Sequence, residues 1–206
     1  MVRSLRSSPA AAAAAAARAV GVAAGAGLAL ALAAAACGHG ASFEASVYRK
    51  GALEVRVGPV PAAWRRVSIE GADLAFRDDA RSGSAPFNVR CGLRDDDAPL
   101  ESLTAHLIIG TTDRVYDTQE TVPFDRREAM HTLLRAKLDG VPMQYDIYVM
   151  KKDGCLYDLV YVAPPDRFQE GSADFEHFAQ GLQTVTSPPR VAAAQQGTAA
   201  NGAGSP

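Results

Sequence analysis

Apolar and polar positions alternate with a period of two along much of the middle of the chain, the pattern of strands with one face buried. Leu53, Val55 and Val57 alternate with charged residues up to Gly58-Pro59, which end that strand. Residues 66–69 and 73–77 flank Gly71 as a hairpin, and 86–93 form the next strand after a loop over 78–85. Residues 112–124 read as an extended arm with Val115, Val122 and Phe124 as its apolar positions. Met143, Tyr145, Ile147 and Val149 share one face after Val141, so the same alternation assigns Asp146 to the solvated face. Asp139-Gly140 and Asp153-Gly154 are tight-turn signals, since both residues of such a turn need positive φ. The stretch 126–138 has the composition of a helix, yet the turn after it demands a strand on each side, and a strand is therefore assigned there.

Residues 155–163 are apolar on both faces, which implies a sheet covered by helices rather than one open to water. Two segments have helical spacing. In 98–109, Leu100, Leu103 and Leu107 form one stripe, Asp97 or a neighbour is placed to cap the helix and Gly110 to stop it. After Pro164-Pro165 end the last long strand, Ser172 is placed to cap a helix that buries Phe175, Phe178, Ala179 and Leu182. The single tryptophan, Trp64, follows the turn Pro61-Ala62-Ala63 as a core plug. The expected class is α+β: an antiparallel sheet of about six to seven strands covered by helices.

The ends read differently. Arg3, Arg6 and Arg18 precede eighteen residues, Ala19 to Ala36, drawn only from Ala, Val, Gly and Leu, and Cys37 follows at once. A basic start, an apolar run and small residues before a cysteine resemble a bacterial lipoprotein signal, with Ala34 where that signal usually carries Leu. The resemblance implies cleavage before Cys37 and lipidation of its sulfur. An uncleaved span and a signal that releases a soluble protein are the competing readings, but alanine and glycine contribute little transfer energy to a span. Domain organisation follows: signal 1–36, tether 37–52, folded domain 53–185 and a disordered, Ala/Gly/Pro/Gln-rich tail 186–206.

With Cys37 assigned to lipid, Cys91 and Cys155 remain, and an even remainder in an exported chain is expected to pair as a disulfide, with two unpaired buried thiols as the alternative. Of 21 basic residues three lie in the first 36 positions, where there is no acid, so the body holds 18 basic against 23 acidic groups. That balance excludes the clustered cations needed to grip nucleic acid. The four histidines are scattered, no zinc spacing is present, and Asp95-Asp96-Asp97 fits capping and solvation better than metal binding. No nucleophile elbow, phosphate loop or metalloprotease motif occurs. No catalytic residue, metal or cofactor is therefore expected.

The order strand, Trp-bearing turn, hairpin, strand, helix, antiparallel strands and closing helix resembles the PsbP-like fold. That fold is shared by extrinsic photosystem proteins, small nuclear transport factors that bind a GTPase, and many bacterial lipoproteins of unknown role. Pro61-Ala62-Ala63-Trp64, the stretch Phe124-Asp125-Arg126-Arg127-Glu128-Ala129 and Leu138-Asp139-Gly140 carry the likeness, with Arg126 or Arg127 standing where related sequences have a glycine. The resemblance implies an α/β/α sandwich over residues 53–185 and partner binding in place of catalysis. The resulting expectation is a non-catalytic accessory module held to the membrane through Cys37 and meeting a protein partner in the envelope. The alternatives are a carrier of small molecules or metal with a pocket between sheet and helix, and, third, a hydrolase. His39, rather than an acid two places after Cys37, points to the outer membrane, facing the periplasm.

Overall fold

The computed structural model of the protein describes residues 40–92 and 98–186. The expected signal segment 1–36, Cys37 with its expected lipidation, the run Asp95 to Asp97 and the tail from 187 onward lie outside the described residues. Among the described residues the chain forms eleven strands and two helices. A small sheet has the order β1 (Ser42–Glu44), β2 (Val47–Lys50), β3 (Leu53–Arg56), β11 (Gln183–Thr186). The large sheet has the order β4 (Trp64–Val67), β5 (Leu74–Asp78), β6 (Gly83–Cys91), β10 (Cys155–Ala163), β9 (Val141–Lys152), β8 (Arg127–Leu138), β7 (Thr111–Phe124). All pairings are antiparallel.

Three two-residue turns set the registers of the long strands. Asp139 and Gly140 (φ +49° and +81°) place Leu138 opposite Val141, and Asp153 and Gly154 (φ +52° and +73°) place Lys152 opposite Cys155. The stretch 126–138 is thus a strand, as the turn requires, in spite of its helix-forming composition. The third turn, Asp125-Arg126, has φ of +40° and +60° and joins Phe124 to Arg127 without any glycine. Arg126 therefore occupies the left-handed conformation that the glycine of related sequences would accept freely. Arg126→Gly is expected to raise stability by roughly 0.5–1 kcal/mol, the left-handed penalty less the unfolded-state entropy of glycine. Chemical denaturation measures it; an unchanged or lower midpoint would show that the turn is relaxed by other contacts.

The cover of the large sheet differs from expectation. One face is closed by α2 (Pro165–Gln180) together with the small sheet, not by helices alone. Phe168, Phe175 and Phe178 of α2 meet Tyr157, Leu159 and Tyr161 of β10, while Tyr48 and Phe43 of the small sheet pack edge-on against Phe87 and Phe76. On the opposite face α1 (Leu100–Leu107) lays its leucine stripe against Leu134, Ile147, Val149 and Leu156. The expected tether 37–52 is correspondingly corrected. From Ser42 onward it is strand, because Val47 and Tyr48 are buried in the core and β2 pairs with β3. The folded body runs from β1 to β11, wider than 53–185 at both ends.

Both helix starts also differ from the sequence reading. The residue before α1 is Pro99, which gives no side-chain cap, and the expected cap at Asp97 lies outside the described residues. α2 begins directly after Pro164, with Pro165 in the first turn, where its missing N–H costs nothing. Ser172 is consequently an interior residue of that helix, not its cap. Gly171 marks the closest approach of α2 to the sheet: a Cβ there would lie 1.8 Å from the Tyr161 hydroxyl. That hydroxyl donates to buried Asp78 (3.1 Å), whose carboxylate also takes Arg81 (3.1 Å), and Arg81 reaches Asp174 of α2 (3.3 Å). The helix is thereby held by both packing and charge.

Candidate functional site

The β7–β8 turn and the C-terminal half of α2 enclose a cleft of about 690 Å³ at one end of the large sheet. Its floor is a cross-strand row. The turns at 125–126 and 139–140 put Glu120 of β7 opposite His131 of β8, and His131 opposite Tyr148 of β9. The His131 and Tyr148 rings stack with centroids 4.2 Å apart and planes 11° off parallel, and Phe124 continues the stack 5.2 Å from Tyr148. Val122 and Pro123 extend the apolar wall, and Glu176 and Gln180 of α2 form the other side.

Beneath the row lies Asp146, buried and not on a solvated face. Alternation failed at this position because β9 is covered on both sides: Tyr145, Ile147 and Val149 face α1, while Asp146 and Tyr148 face α2. One Asp146 oxygen pairs with Nε2 of His131 (2.9 Å), and the other accepts the Ser172 hydroxyl (2.7 Å). An ionised carboxylate only accepts, so in the neutral ring the proton sits on Nε2 and Nδ1 carries a lone pair. No group among the described residues is bonded to that Nδ1.

The turn itself is anchored by a second buried carboxylate. Asp125 Oδ2 accepts from Lys152 Nζ (2.6 Å) and from the backbone N–H and hydroxyl of Thr184 (2.9 and 2.8 Å), tying the β7–β8 hairpin to β9 and β11. Burial raises its pKa, but the bonds from Lys152 and Thr184 outweigh this and hold it below the ordinary carboxylate value. Burial, then the charges of Asp146 and Glu176, push the Tyr148 hydroxyl above its ordinary pKa, so it stays a neutral phenol.

A serine, a carboxylate and a histidine thus meet, but in an order that supports no hydroxyl activation. The carboxylate stands in the middle, and Ser172 donates to Asp146, not to the imidazole, so the nucleophile–base contact is missing. Nor do Asp146 and Asp158 meet across β9 and β10. They lie on opposite faces of the sheet, Asp158 pairing with Arg90 at 2.9 Å. Among the described residues no three His, Cys, Asp or Glu side chains are grouped to hold one metal ion.

Cys91 and Cys155 are bonded to each other as a disulfide, directly opposite in the β6–β10 ladder. Cys155 is buried and Cys91 lies at the exposed strand end. Cys37 lies outside the described residues. Val122, Phe124, Asp125 and Arg126 were read in the sequence for fold only, and no cleft residue was read as a site, although the signal was present: the two turn positions alone fix the row Glu120, His131, Tyr148.

No family model matches the sequence, and no curated protein does. Solved structures of similar fold include an envelope protein and a PsbP protein. The crystal structure of LpqN, a protein involved in cell envelope biogenesis of Mycobacterium tuberculosis, is similar with a TM-score of 0.51 and 11% identity, over 71% of this chain and 90% of that one. The solution structure of cyanobacterial PsbP (CyanoP) from Synechocystis sp. PCC 6803 has a TM-score of 0.49 and 15% identity, over 65% of this chain and 86% of that one. At such identities the likeness is one of fold alone.

Proposed function

We propose that the protein is a non-catalytic accessory module of the bacterial cell envelope, lipid-anchored at Cys37 in the outer membrane facing the periplasm, which receives a partner's group in the cleft under α2. The observation that carries this reading is the cleft itself. His131 is oriented by buried Asp146, and Asp125 by Lys152 and Thr184, as a binding site needs, while the Ser172 hydroxyl beside Asp146 donates to the acid and not to the imidazole. The leader ending at Cys37 supports the anchor, and two or three acyl chains suffice to hold a protein stably to a bilayer. No helix among the described residues is long and apolar enough to cross a membrane. An envelope setting is also that of LpqN, a protein of similar fold.

Cys37→Ala is expected to lose palmitate labelling and to move to the soluble fraction; retention in the membrane pellet would remove the anchor from this reading. Crosslinking in mild detergent is expected to recover a partner, and a cleft variant to lose it. The cleft between sheet and helix also favours a second reading, a carrier of a small molecule. A thermal-shift screen separates the two, since a bound ligand raises the melting point by mass action.

A further inference from the structure

We propose that the cleft binds an organic ammonium cation on an apolar stem, an inference that rests on the cleft being the binding site of the module. Besides the Tyr148 hydroxyl, the Gln180 amide and Arg126, which can donate, the polar groups that meet a ligand there are acceptors. Glu120 on the β7 wall forms no ion pair among the described residues, and the Glu176 carboxylate on the α2 wall receives only the Gln180 amide, at 2.8 Å. In its neutral form His131 adds the lone pair on Nδ1, since its other nitrogen donates to Asp146. Two exposed carboxylates, one on each wall, call for a ligand that donates N–H.

Charge gives the same sign. Asp125 is neutralised from within by Lys152, and the remaining cation of the lining, Arg126, lies 3.6 Å from Asp125 on the open side with a side chain 78% exposed. Glu120 and Glu176 outnumber it. An anion would meet two carboxylates that no cation balances. A bare metal ion does not fit either, because the acceptors stand on separate walls and no three of them group around one point. A cation extended enough to reach both walls does fit, and Val122 and Pro123 of β7 with the His131 ring, stacked on buried Tyr148, offer its methylenes an apolar floor. A free alkyl amine and a lysine side chain of a protein partner share this chemistry.

The test uses the full-length chain and the NMR signals of the His131 and Tyr148 rings. Cadaverine and Nα-acetyl-lysine amide are the two probes, and 1,5-pentanediol is the uncharged control. Saturable shifts are expected with at least one amine and none with the diol. Tighter saturation by the lysine derivative assigns the ammonium to a protein partner, and tighter saturation by cadaverine to a free amine. Glu120→Gln with Glu176→Gln should weaken binding by about tenfold or more, as removal of charged hydrogen-bond acceptors does. Glu128→Gln, on the opposite face of the same hairpin, should leave it unchanged. Equal binding by the double variant, equal shifts with the diol, or no saturation by either amine would overturn the assignment. Cys37→Ala should bind as the parent does, so a failed anchor and a failed cleft are told apart.

Discussion

Replacing Cys91 and Cys155 together by alanine is expected to lower the unfolding free energy by about 4 kcal/mol, the largest single effect in the molecule. The two residues are 64 positions apart, yet they stand side by side at the end of the β6–β10 ladder in the middle of the large sheet. All of α1, β7, β8 and β9 lies in the loop that the bridge closes. Without it, joining the two central strands must meet the entropy of closing that loop by chain diffusion, and the unfolded ensemble gains freedom accordingly. Denaturant titration of parent and double variant measures the difference, and reduction of the parent in denaturant should reproduce it. A double variant with the parent's midpoint would show that packing of β10 between β6 and β9 fixes the register unaided. A loss of this size is a large fraction of the roughly 5–15 kcal/mol typical of a domain.

The second large effect has the opposite sign. Asp158→Asn is expected to stabilise the protein at pH 7.5 by roughly 2–3 kcal/mol. The Asp158 side chain is 1% exposed; one oxygen meets Arg90, whose own side chain is half in solvent, and the other is buried with no partner among the described residues. Desolvation raises its pKa to about 6, only partly offset by the charge and hydrogen bond of Arg90. The folded pKa is above the unfolded value of 3.8, so the contribution of the neutral acid is fully present below pH 3.8 and is lost as pH rises through 6. The parent should accordingly gain stability between pH 7.5 and 5, while the gain from asparagine shrinks over the same interval. Thermal melts of both proteins at the two pH values test this. A variant less stable than the parent at pH 7.5 would mean that the Arg90 pair outweighs burial. Asp73, Asp117 and Asp125 act in the other sense. Burial raises Asp73 and Asp125, but hydrogen bonds prevail; at Asp117 the Arg135 bond leads. All three have lowered pKa values, and their stabilisation is lost only as pH falls below 3.8.

The long hairpins were legible because their turns are written in two residues each. Asp139-Gly140 was enough to make 127–138 a strand against its helical composition, and its register carries His131 to Tyr148. The small sheet was not legible. Its strands have three or four residues each, too short for a period to show, and β11 reaches β3 from the far end of the chain. The site was legible only in part. Glu120, His131 and Tyr148 follow from counting outward from two turns, whereas Glu176, Ser172 and the burial of Asp146 depend on where α2 docks. Nothing local to β9 announces that its second face is covered.

By itself the amino-acid order determined the strand-rich α+β class, the long hairpins, the two helical stripes, the even pair of cysteines and the acidic balance of the body. These are properties of neighbours along the chain, fixed by period, turn stereochemistry and count. The tertiary structure alone decided that residues 42–50 belong to the body, that α2 starts at the proline pair, that Asp146 is buried and that a cleft exists. Each of these depends on surfaces brought together from distant parts of the chain, where burial and pairing outweigh local preference.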